Sequence, residues 1–209
     1  MDKILLSLDY STSCTGWAKF NLETGKLVSF GEIYPDFKNK KIKGKFEFEY
    51  PEYQTLKLER LAEQIIESLI EDSIQIIVIE EINKGSGSGR IGQKVLDGGH
   101  FLLLSSLPRN FLKKTVYCDS DGKKGWRSAS GLKLQLSEVD RLNNKNIRKL
   151  NNKLKKGKKL PLLDIKQLAC NFVNKQFSLH LDISQNDICD AIGMGWHYLT
   201  NVLGEKNES

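Results

Sequence analysis

Two short apolar runs, each closed by a carboxylate, constrain this chain more than any other feature. Residues 4–9 read ILLSLD and residues 76–80 read IIVIE, so Asp9 and Glu80 each end a β-strand pattern. The second run is continuous and β-branched, the mark of a central strand covered on both faces. Lying parallel and adjacent, two such strands would hold both acids at one end of a sheet. An acid at the end of a buried strand is costly unless it is paired or bound to a cation, so this arrangement predicts a site.

The remaining pattern is strands first and helices after. Residues 16–22 and 26–33 continue the first run as an antiparallel meander with Gly25 at the turn. Leu58, Leu61, Ile65 and Leu69 recur at three and four, which predicts an amphipathic helix over residues 53–72. A helix over 91–107 stopped by Pro108, a strand over 114–118 and helices over 162–177 and 184–203 complete the chain. The order β-β-β-α-β-α-β-α-α predicts an α/β fold, a mixed five-stranded sheet with helices on both faces, as a single domain over residues 1–209. Residues 119–159 are polar and basic without apolar periodicity, which predicts a mobile insertion with no packed side.

Composition narrows the class. With 209 residues and 39% of them apolar, the chain can bury a core without disulfide staples. Its four cysteines are far apart with no CxxC pair, which excludes a zinc ribbon or redox dithiol and predicts free thiols in a reducing compartment. No apolar run reaches the roughly 18 residues of a spanning helix, and the first residues carry no signal for cleavage. A cytoplasmic protein with no membrane partner is expected.

The charge is uneven. Of 32 basic residues, nine lie in 141–159, a segment without a single acid, so the rest of the chain is net negative. They include Arg141, Lys145, Arg148, Lys149, Lys153, Lys155 and Lys156, and a second cluster occupies KNKKIKGK at 38–45. Cations concentrated on an otherwise near-neutral body fit a polyanion partner.

Two more acids join the first two. In SQNDICDAIGMGW, Asp187 and Asp190 are three apart and share one helix face, while Ile188, Ala191, Ile192 and Leu199 supply the apolar side. Ser184 with Asp187 also fits a capping box, a role that can coexist with ligation. LSLDYSTSCTGWA, IIVIEE and NDICDAIGMGW together resemble the RuvC Holliday junction resolvases, particularly their phage-type relatives, within the ribonuclease H-like superfamily. The resemblance runs from residue 3 to about 203 and implies a ribonuclease H-like sheet. It implies that Asp9, Glu80, Asp187 and Asp190 are catalytic and hold divalent metal, and that Arg127 in WRSASG and Lys166 in LDIKQLACNFV are basic residues near the scissile phosphate. Glu81 adjoins Glu80, but in an extended strand the next residue points to the opposite face.

The donor chemistry agrees with that implication. Carboxylates without a histidine or cysteine cluster suit Mg²⁺, with Mn²⁺ able to substitute, rather than zinc. Two such ions can activate water and stabilise the leaving oxygen of a phosphodiester. Other signals are weaker. Residues 87–92 match GxGxxG but not on a first βα turn, so no nucleotide cofactor is expected; the stretch reads as a loop beside the site, with Lys84 and Arg90 near DNA. Trp126 is expected in the core, or stacked on a splayed base. His180 and His197 are expected to be structural or surface residues. The expectation is a metal-dependent homodimeric endonuclease for four-way and other branched DNA. A junction-binding protein that does not cut, or a nuclease for RNA·DNA hybrids, is the alternative.

Overall fold

The computed structural model describes residues 2–42, 45–81, 89–119, 125–129, 136–154, 158, 160 and 162–204, with side chains for all of these except residues 42, 89–91 and 129. The chain begins with β1 (Ile4–Asp9), β2 (Thr15–Asn21) and β3 (Leu27–Ile33), joined between β2 and β3 by a tight turn. Gly25 adopts φ +66 there, a left-handed conformation that glycine enters without steric cost. A small hairpin, β4 (Lys41–Ile42) and β5 (Lys45–Phe46), precedes α1 (Glu52–Leu69). Then come β6 (Ile74–Glu80), α2 (Gly89–Ser106), α3 (Arg109–Leu112), β7 (Thr115–Cys118) and α4 (Trp126–Ala129). The chain continues through α5 (Glu138–Asn151), α6 (Ile165–Phe177), a 3-10 turn (Ile183–Gln185), α7 (Asn186–His197) and a π-helical turn (Tyr198–Leu203).

Five strands form one mixed sheet in the order β3-β2-β1-β6-β7, as the pattern predicts. β1 and β6 are parallel neighbours, with Leu8 opposite Ile79, and β2 runs antiparallel to both β1 and β3. Side-chain alternation divides the core into two layers. Leu6, Leu8, Ile77 and Ile79 pack on α1 residues Leu61 and Ile65, and Leu103 of α2 joins them. Leu5 and Val78 face the other way, onto α6 and α7 residues including Val173, Ala191 and Ile192.

α7 lies unusually close to the sheet. A side chain at Gly16 of β2 would overlap the main-chain carbonyl of Asp187, and one at Gly195 would meet the Phe20 ring at 2.5 Å. The absence of a Cβ at both levels brings the helix down onto the strands.

Two expectations need correction. Part of 119–159 is a helix, α5, closed by a capping box in which the Ser137 hydroxyl accepts from Asp140 N–H and the Asp140 carboxylate accepts from Ser137 N–H. It does have a packed side, made of amides instead of hydrocarbon. Asn144 is buried, donates to Leu163 O at 2.6 Å and accepts from Leu163 N–H at 3.0 Å, and Asn151 makes the same pair of bonds to Leu160. A search for apolar periodicity cannot see such a face. The capping box near α7 belongs to Asp182 and Gln185 on the 3-10 turn, so Ser184 does not cap Asp187. Trp126 is in the core, as expected: it is wholly buried in the α6–α7 layer, which leaves no room for the alternative of stacking on a base.

Candidate active site

Strand parity and one helix bring the four predicted acids together. Asp9 follows Leu5 and Ser7 on the α7-facing side of β1, and Glu80 follows Ile76 and Val78 on the same side of β6. The two side chains share a hydrogen bond. Asp187 and Asp190, one turn apart on α7, add their charge to the same spot: Glu80, Asp190 and Asp187 all push on Asp9. Glu81, the next residue, extends beyond the strand, donates its N–H to Cys118 O and lies beside Tyr117.

Burial dominates the electrostatics. Asp9 is 7% exposed, and its pKa is raised well above the ordinary carboxylate range by desolvation first and by Glu80 second. Asp190 is raised to about 6 by burial, against the pull of the Arg127 guanidinium. Arg127 Nη2 donates to Asp190 Oδ2 at 2.7 Å, and both side chains are nearly buried. Asp187 is raised as well, chiefly by burial, with Lys166 and Asn186 opposing; the Asn186 amide donates to its Oδ1. Lys166 itself is exposed at the start of α6, with its charge directed at both α7 aspartates.

The donor set fits a hard divalent cation. All four groups are carboxylates, and the second oxygen of Asp190, Oδ1, is buried without a hydrogen-bond partner among the described residues. A buried carboxylate oxygen left bare costs roughly 1 to 3 kcal/mol or more, which a cation would recover. Among the described residues no three His, Cys, Asp or Glu side chains form a ready-made cation cage. Arg127 takes one oxygen of Asp190, and the Asn186 amide donates to one of Asp187. The carboxylates are gathered near one another, but not closed into a coordination shell.

The predicted DNA-binding cations divide. Arg141, Lys145, Arg148 and Lys149 lie exposed on α5, with Lys153 just beyond it. Arg127 is engaged by Asp190 instead of being presented to solvent. Lys84, Lys155 and Lys156 lie outside the described residues, as does the Arg90 side chain. Two groups beside the acids were not evident from spacing. His100 of α2 is buried against Tyr10, ring centroids 4.7 Å apart, and feels the Glu80 charge. Cys14 is buried beside Asp187 and Tyr34, and burial pushes its thiol up to about 12. The only sequence hint of Cys14 is its place between β1 and β2, where the register sets Asp9 opposite Gly16.

No protein-family model matches the chain, and no curated protein matches it. Solved structures do. The crystal structure of the yeast mitochondrial Holliday junction resolvase Ydc2 superposes with TM-score 0.50 at 13% identity, covering 99% of this chain and 82% of that one. Thermus thermophilus RuvC gives TM-score 0.48 at 8% identity over 96% of both chains. Fowlpox virus resolvase, solved with Holliday junction DNA, gives 0.40 at 14% identity over 96% of this chain and 99% of that one. The Ydc2 likeness shows that this chain shares the fold of that structure, a mixed five-stranded sheet with helices on both faces.

Proposed function

We propose that this chain is a divalent-metal-dependent endonuclease that resolves Holliday junctions and other branched DNA by phosphodiester hydrolysis. The observation that carries the reading is the convergence of Asp9, Glu80, Asp187 and Asp190 at one end of the sheet, with an unpartnered carboxylate oxygen buried among them. The chemistry supplied there by bound Mg²⁺ or Mn²⁺ is Lewis-acid assistance to hydrolysis, and these four carboxylates would hold it.

The chain's own residues do the rest. Desolvation of Asp9 and Asp190 strengthens every charge interaction inside the site. Arg127 holds Asp190 in one orientation through a short charge-assisted bond. Lys166, exposed at the mouth beside the two α7 aspartates, is placed to meet a phosphate oxygen. The cations of α5 and the segment after it supply affinity for the backbone of the DNA arms. A four-way junction presents two strands for symmetric cutting, and a two-fold homodimer matches that symmetry.

Incubating the purified protein with an immobile four-way junction, a linear duplex and an RNA·DNA hybrid, in Mg²⁺, Mn²⁺, Ca²⁺ and EDTA, tests this function. Junction cleavage is expected in Mg²⁺ or Mn²⁺, and binding with little turnover in Ca²⁺, whose larger, looser shell positions a nucleophile poorly. Cleavage that persists in excess chelator rejects the metal chemistry, binding without cutting in any metal leaves a junction-binding protein, and preferred cutting of the hybrid moves the substrate to RNA·DNA.

A further inference from the structure

We propose that the groove beside the β4–β5 hairpin is a second nucleic-acid site, one that stacks unpaired DNA bases, apart from the carboxylate cluster. The proposal rests on the branched-DNA reading for its choice of nucleic acid. The groove has a volume of about 1040 Å³ and is walled by Phe37, Phe46, Phe48, Tyr50 and Tyr53. Lys38, Lys41 and Lys45 line it too, with Glu49 the one acid of the lining.

Its construction separates framework from free surface. Phe37 packs against Phe48 and Tyr53 at 6.0 and 5.8 Å between ring centroids. The Asn39 side chain fixes that wall, donating to Phe48 O at 2.7 Å and accepting from Phe48 N–H at 3.1 Å. Two rings stay outside this framework: Phe46 is 56% exposed and Tyr50 is 71% exposed. Two large exposed aromatics among lysines have no use for a core, whereas every nucleobase has a π-face and every nucleotide a phosphate. Lys41 Nζ already sits 4.9 Å over the Phe46 ring, so a base stacked on Phe46 places its phosphate within reach of that ammonium.

Topology ties the groove to the acids. Asp9 is in register with Gly16, and Gly16 with Glu32 near the end of β3, so the segment carrying the hairpin leaves the sheet from the edge that holds the carboxylates. Two strand spacings, about 10 Å, separate β1 from β3. A strand bound at the acids and continuing past the ends of β2 and β3 heads toward the segment that carries the hairpin, where an unpaired base, as at a branch point, has its face free to stack.

The test uses the full chain in EDTA, where no strand is cut. A fifteen-residue oligodeoxythymidylate carrying one 2-aminopurine reports stacking by fluorescence quenching and affinity by anisotropy, beside a blunt duplex of equal length. Phe46→Ala and Tyr50→Ala remove exposed rings, and unchanged thermal unfolding confirms that the fold is intact. Each substitution should abolish most of the quenching and weaken single-strand binding at least about fivefold, leaving duplex affinity within about twofold. Wild-type quenching and affinity in both variants, or equal losses on duplex and single strand, would overturn the site. Junction cleavage by the wild-type protein in Mg²⁺ is scored separately, so that failure of the nuclease reading and failure of the groove are distinct results.

Discussion

At the residue scale the acids and their neighbours decide the chemistry. Asp9→Asn, Glu80→Gln, Asp187→Asn and Asp190→Asn should each lower junction cleavage by roughly two orders of magnitude or more, while junction binding in Ca²⁺ survives, because metal ligation and phosphate contacts come from different groups. Single-turnover cleavage and gel-shift titration measure the two effects. Glu81→Gln should cut normally, since Glu81 lies past the strand beside Tyr117 while Glu80 bonds to Asp9. A loss at Glu81 with normal cutting by Glu80→Gln would reverse the assignment on that strand.

At the element scale the placement of α7 and the nature of α5 matter most. α7 carries two of the four acids and sits on the sheet only because Gly16 offers no side chain to the Asp187 carbonyl. Gly16→Ala should therefore destabilise the protein by about 3 kcal/mol, by forced displacement of a packed helix, and should reduce cleavage along with stability. Chemical denaturation and cleavage on the same preparation measure both. α5 presents Arg141, Lys145 and Arg148 at spacings of four and three, one basic stripe on a helix held by its buried asparagine. Replacing these three with alanine should weaken binding to all DNA shapes and flatten the slope of log affinity against log salt by about 0.9 per lost phosphate contact. Loss of junction preference at unchanged slope would make α5 a reader of shape.

At the scale of the whole molecule, buried groups pull the pH dependence of stability in opposite directions, His100 one way and the raised carboxylates Asp9, Asp187 and Asp190 the other. Burial holds His100 down at about 4, so the unfolded chain binds its proton first, and stability falls as pH drops from about 6.5 toward 4. Burial raises Asp190 to about 6, so the folded chain binds its proton first, and stability rises as pH drops through 6 toward the ordinary carboxylate range. Each is of order 3 kcal/mol, and the windows overlap. Asp190→Asn should therefore make the metal-free protein lose stability more steeply between pH 6.5 and 4 than the wild type, whereas His100→Phe should make it less steep. Thermal unfolding across that range in EDTA reads both slopes.

The parts of this protein that rest on local repetition were legible in its sequence. Apolar runs of period two and of three and four placed the sheet strands and the long helices within a few residues, and the acid at the end of each of two runs located one edge of the site. Strand parity also set Glu80 on the face of Ile76 and Val78, because alternation is a property of the extended backbone itself; Glu81 lies past the end of the strand. What escaped depends on contacts between distant segments. α5 packs through amide hydrogen bonds to Leu160 and Leu163, which leave no hydrophobic period to read. The Arg127–Asp190 pair joins residues 63 apart, and the burial that shifts Asp9, Asp190 and His100 exists only once α2 and α7 close over the sheet. Sequence determines which side chains each element can offer to a face; only the packed fold decides which of them lose water, and in a site built of charges that loss sets the chemistry.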